Sequence, residues 1–314
     1  ALLADRRPPE PLRKRLELVQ EIRGYAETRL QLPAARQYHR YKDIGREHLV
    51  WVVFAAPEFS LEPHTWRYLL LGRLEYRGWF SEEDAGRSAE ALRARGLDVY
   101  IAEIDAYSTL GWFSDPVLNT FIDLPARNLA ELLFHELTHQ RLYFPGDTAF
   151  NEALATAARR HAARLWLADT GRAGELALLQ KEQLLMRKFL DELDTARSRL
   201  ERLYQSRDLD ESNRRAAKKR LFDELALRLH QFNTRHGGTL KIQQWLDKPL
   251  NNARLNSIDT YHRLVPLFDQ LIEKQCGGDL ERLFAMLKEC RSLSPAKRVE
   301  WLLRQAAAGD APPS

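Results

Sequence analysis

Sulfur is scarce in this chain: two cysteines and two methionines among 314 residues. So few cysteines exclude a disulfide scaffold and a cysteine-rich zinc module. Cys276 and Cys290 read as small buried thiols, with a single disulfide as the competing reading. No run approaches the roughly 18 apolar residues of a membrane helix, so no span is expected. A dominant charge is missing too, because 48 basic residues meet 44 acidic ones and leave a formal +4. That balance permits an anionic partner without demanding one. There is no internal repeat, and no low-complexity block apart from a frayed tail at 309–314. What the chain does have is apolar content: 44% of its residues are hydrophobic and 10% of the whole chain is aromatic. That suffices for one large domain or two ordinary ones and excludes wholesale disorder. The first residue is Ala1, which reads as a trimmed or mature start, with any export or anchor segment upstream.

The patterning predicts an α+β fold dominated by helix. A helix is expected over 8–30, with strands over 48–56, 66–79 and 98–105. Ser81 caps a helix that Gly96 stops. Beyond Trp112 the β signal ends. Helices are expected over 128–143 and 148–168, the second capped by Asp147. A leucine stripe (Leu185, Phe189, Leu193, Ala196, Leu200) then predicts a long helical hairpin with its turn at 207–212. Helices over 240–246, 251–274, 279–289 and 295–307 complete the chain. The expected division is an α+β catalytic body at 1–170, a hairpin insertion at 171–238 and a C-terminal helical part at 239–314, packing on the active site.

One string stands out: His135-Glu136-Leu137-Thr138-His139. On a helix, residues four apart share a face, so two imidazoles converge on one tetrahedral metal ion. Glu136 leans over the open side, where it takes a proton from water. Catalytic zinc needs a third protein ligand. The next helix offers Glu152 among Ala153, Ala155, Ala157 and Ala158, a small-residue surface that permits close packing. Pro145-Gly146-Asp147 turns the two helices antiparallel. His161 is the rival third ligand.

HELTHQRLYFPGDTAFNEALAT and the upstream YSTLGWFSDPVLNT (107–120) resemble a bacterial family of predicted aminopeptidases, assigned to zinc metallopeptidases of the Glu-zincin type. The resemblance also takes in Tyr76–Phe80 and the 251–268 region. It implies a zincin-like helix pair, one zinc ion on His135, His139 and Glu152, and Glu136 as the catalytic carboxylate. It further implies an exported protein, periplasmic or anchored to a membrane facing the periplasm; the cytoplasm stays open. In this chain the interval from His139 to Glu152 is shorter than in thermolysin-like relatives. Thr156 stands where many of them have an acid.

Four further expectations complete the reading. Tyr261 is the candidate second donor to the oxyanion, with His262 beside it. Gly111, within 107–113, allows close approach of a substrate backbone at a sheet edge. Asp115 either binds a free α-amino group or starts a helix with Pro116. The basic cluster Arg214, Arg215, Lys218, Lys219, Arg220 reads as a solvated helical face rather than a nucleic-acid or lipid site. The expected partner is a peptide or protein substrate, cleaved from its amino terminus or internally. A metal-stabilised interaction protein that binds through its hairpin is the reading from another class.

Overall fold

The computed structural model describes residues 8–68, 72–104, 114–240, 242–262 and 264–308. The fold is α+β and dominated by helix, as expected. Helix α1 (Glu10–Thr28) opens the chain with Pro11 in its first turn, where a missing N–H costs nothing. A short strand β1 (Tyr41–Lys42) leads to β2 (Val50–Pro57). The stretch 66–79, expected as one strand, is three. β3 (Trp66–Tyr68) folds back onto β4 (Gly72–Leu74), and β5 (Tyr76–Trp79) pairs with β2. Gly72 sits at the base of that fold-back with φ +77°, a conformation glycine alone adopts freely.

Helix α2 (Glu82–Arg93) is capped by the Ser81 hydroxyl, which accepts the Asp84 N–H at 3.3 Å. Strand β6 (Leu97–Ile104) completes an antiparallel sheet of order β5-β2-β6. β7 (Val117–Leu118) pairs in parallel with β1 and runs into α3 (Asn119–Ile122). Then come α4 (Ala126–Arg141) and α5 (Thr148–Asp169). The hairpin is α6 (Ala173–Gln205) and α7 (Glu211–Arg235). Short α8 (Gln243–Leu246) precedes α9 (Asn252–His262) and α10 (Val265–Gln270). The single helix expected over 251–274 is thus divided. Pro266 lacks the N–H that would continue a helix and sits instead in the first turn of α10. Leu271–Gln275 winds as a π turn before α11 (Leu280–Leu287) and α12 (Pro295–Ala308). No described helix is long and apolar enough to cross a membrane.

The main core joins α1, α4, α5 and α10–α12, with Phe134, Phe150, Trp166 and Phe268 fully enclosed. Cys276 and Cys290 are free thiols buried in it. The leucine stripe of α6 packs on Phe222, Leu225, Leu229 and Phe232 of α7, so it is covered within the chain. The sheet buries both faces. Val53, Ala55 and Val99 meet Ala85, Ala89 and Leu92 of α2. Val50, Val52, Phe54 and Ala56 meet Ala253 of α9. Helix α9 therefore lies between the sheet and α5.

A polar junction pins the hairpin to the sheet. The Asn252 amide donates to the carbonyls of Pro57, Glu58 and Ser60, and its oxygen accepts the Tyr204 hydroxyl at 2.7 Å. Asp98 accepts the Asn252 N–H at 2.9 Å and the Lys218 ammonium at 2.7 Å. Of the basic cluster, Arg215, Lys219 and Arg220 stay on an exposed helical face, as expected, with Arg215 paired to Glu58 at 2.6 Å and Lys219 to Asp223 at 2.7 Å; Lys218 is buried in the junction, and Arg214 lies over the Phe59 ring.

Lys218→Met would leave Asp98 without its cation at a nearly closed site, with only the Asn252 N–H beside it. We expect it to lower the unfolding free energy by about 3 kcal/mol, read from urea unfolding. A loss below about 0.5 kcal/mol, the usual surface effect, would mean that the junction holds nothing together.

Candidate metal centre

Helix α4 contains neither glycine nor proline. Leu129, Leu133, Phe134 and Leu137 lie in the core, which fixes the opposite face outward. That face carries His135, Glu136 and His139. The chain then reverses through Pro145 and Gly146, the latter at φ +77°. Three contacts hold the reversal. The Asn151 amide donates to the Phe144 carbonyl and its oxygen accepts the Phe144 N–H, both at 2.8 Å. Asp147 caps α5 through the Phe150 N–H at 3.4 Å and accepts the Arg298 guanidinium of α12 at 2.6 Å, with both side chains buried. The β3–β4 hairpin sits directly on the turn: a Cβ at Gly72 would come within 2.8 Å of the Gly146 Cα.

Buried Ala153, Ala155, Ala157 and Ala158 let α5 lie close to its neighbours. Glu152 is thereby brought between the two imidazoles. Its Oε2 is 3.2 Å from His135 Nε2 and 3.5 Å from His139 Nε2, and the two Nε2 atoms are 3.1 Å apart. A tetrahedral ion with bonds of about 2.0–2.1 Å holds its ligand atoms about 3.3 Å apart. The three donors already stand at that spacing, and this buried group can hold a metal ion. His135 Nδ1 is buried with no hydrogen-bond partner among the described residues, so its ring is polar only toward the site.

The charges fit the same purpose. Burial pushes the His135 pKa down to about 4, against the pull of Glu152, so its ring is a neutral donor. Burial works against protonated His139 as well, but the Glu152 carboxylate outweighs it and raises the pKa above 6.5. Glu152 is buried too, yet His139 and the hydrogen bonds from both rings hold its carboxyl well below the usual range. Half-buried Glu136 is pushed up to about 7 by burial; His139 opposes the shift, while Glu152 and Asp115 add to it.

The other expected residues fall in different places. Asp115 is buried, accepts the Gln140 amide of α4 at 3.2 Å, and its charge is felt at Glu136. His161 is not in the donor group. Its Nε2 hydrogen bonds to the Gly278 carbonyl at 2.8 Å and its Nδ1 accepts from Arg164 at 2.9 Å. Tyr261 lies in the last turn of α9, with its side chain outside the described part, as is that of His262. Gly111 lies outside the described residues.

Two neighbours had not been singled out. Tyr38 is buried with φ +56°, donates its N–H to the Asp115 carbonyl at 2.7 Å, and feels the charges of Glu136 and Asp115. Strained backbone at such a place is a mark of a working site, but nothing local in the sequence announces it. Arg159 acts on His135 and Glu136 from two turns beyond Glu152, and that spacing was readable.

Two imidazoles and a carboxylate on an antiparallel helix pair, with a second carboxylate alongside, define a candidate metal-site protein built on an HExxH helix. The chain belongs to the family described as "Putative aminopeptidase", whose family model matches residues 1–302. No curated protein and no solved structure matches it. The family's description points to peptidase activity, and so to peptide as the substrate class.

Binding of an ion requires His139 to give up its proton. Because Glu152 keeps that proton to higher pH than a free imidazole would, metal affinity should fall as pH drops through His139's raised pKa. It should level off above that range. Glu152→Gln should weaken binding and move this dependence to lower pH, as read by competition against a chromogenic chelator across pH. Affinity independent of both pH and Glu152 would remove the site.

Proposed function

We propose that this protein is a zinc-dependent metallopeptidase, acting as an aminopeptidase, with His135, His139 and Glu152 as ligands and Glu136 as general base. The carrying observation is the tetrahedral spacing of three buried donors, with Glu136 next to the first of them. The donor set of two imidazoles and one carboxylate suits zinc, and three protein ligands rather than four is the pattern of a catalytic site. Bound there, zinc would supply a Lewis acid for the peptide carbonyl and a water of lowered pKa.

The protein's own groups do the rest. A carboxyl near 7 is suited to both halves of proton transfer at neutral pH. Glu136 takes the proton of the attacking water and returns it to the leaving amine. In this reading Tyr261 donates to the developing oxyanion, and Gly111 and Asp115 contact the substrate.

A cavity of about 450 Å³ reaches Ala149, one turn before Glu152, and supports cleavage at the amino terminus. Glu62, Glu75 and Glu201 line it against one cation, Arg197, a net acidic lining that favours an ammonium group over a blocked, neutral chain.

Glu136→Gln should cut kcat/KM by at least ~10²–10⁴-fold while zinc stoichiometry, measured by elemental analysis, stays at the wild-type value. The same assay run with free and N-acetylated peptides should favour the free ones. Undiminished turnover in the variant would reject the base. Equal cleavage of both peptides would make the enzyme an endopeptidase.

A further inference from the structure

Helix α5 carries one more charged residue on the face that meets the metal centre. Arg159 stands two turns after Glu152, so the two share that face. Side chains on a helix lean toward its N-terminus, which aims the long Arg159 side chain back toward Glu152. Its positive charge is felt at both His135 and Glu136, where it favours the unprotonated forms.

No group of the protein accounts for this guanidinium. Arg159 is half-buried, its Nε is enclosed without an acceptor, and no hydrogen bond or ion pair reaches it among the described residues. Glu131, one turn before His135 on α4, is no free counterion: it lies 4.0 Å from Arg127, and its charge is felt at Arg160. Glu152 is engaged by the two imidazoles. A partly desolvated guanidinium with unmade hydrogen bonds suits a carboxylate, whose two oxygens match its fork of N–H donors.

The polarity along this face fits a whole short peptide. The acidic cavity that suits an α-ammonium group reaches Ala149, before Glu152, and Arg159 follows on the other side. From Glu152 to Arg159 the helix rises about 10 Å. That is roughly three residues of extended chain, which the back-leaning arginine shortens to about one or two. We propose that Arg159 receives the terminal carboxylate of the peptide, so that the substrates are di- and tripeptides with both ends free. This role rests on the peptidase reading and supplies the other end of the substrate.

The test compares alanylalanine with its C-terminal amide, which differ at that carboxylate alone. Binding to the full chain stripped of metal is measured by calorimetry, and cleavage of both is followed with zinc restored. The free dipeptide should bind roughly tenfold to a hundredfold more tightly than the amide, the worth of a hydrogen bond to a charged group, and should show the lower KM. The acidic cavity alone would favour the amide, which carries the greater positive charge. Arg159→Gln should remove the preference for the free dipeptide, and Arg159→Lys should restore part of it. In the wild-type chain, equal binding of the two, or binding of neither, would overturn the role of Arg159. So would a preference that survives Arg159→Gln. Cleavage without a carboxylate preference would leave the peptidase reading standing without Arg159. A carboxylate preference in binding, with no peptide cleaved, would leave Arg159 as a carboxylate site and overturn the peptidase reading.

Discussion

A carboxylate enclosed in protein must have positive charge or proton donors beside it, because burial alone would neutralise it. Glu152 meets that demand with His135 and His139, and much of the molecule serves to keep the three together. The Asn151 clamp on Phe144, the Asp147–Arg298 pair and the stacked glycines at 72 and 146 all bear on the turn between α4 and α5. Helices α10 and α12 share this work, since Arg298 comes from α12 and the ring of Phe268 of α10 packs on Phe150 at 5.0 Å.

The sheet takes part at one remove. It touches α5 through α9, whose Ala253 packs on one face of the sheet and whose Asn252 ties three carbonyls at and just past the end of β2 to Tyr204 of the hairpin. The hairpin thus docks on the end of the sheet through polar groups and through Leu61 and Leu255, which join its own leucines in one buried cluster.

The parts readable from residue order share one property: each depends on neighbours within a few positions. The spacing of His135 and His139, the cap at Asp147, the cap at Ser81 and the stripe from Leu185 to Leu200 are of this kind. The helix-dominated α+β class follows from the same periodicities. Two readings failed where a break was needed. The strand expected over 66–79 and the helix expected over 251–274 each look continuous by composition, and Gly72 and Pro266 divide them. Within the basic cluster only Lys218 is buried, because its partner Asp98 lies more than a hundred residues away in sequence.

Local order therefore determined which helices form, which face of α4 carries two imidazoles, and that an acid follows on a small-residue helix. Only the tertiary structure decided that Glu152, not His161, closes the triangle, and that His139, Glu152, Asp115 and Arg159 set the field around Glu136. The reason is geometric. Helical periodicity fixes the direction of a side chain about its own axis, but the meeting of two axes is set by the turn, the cap and the core that pack around them.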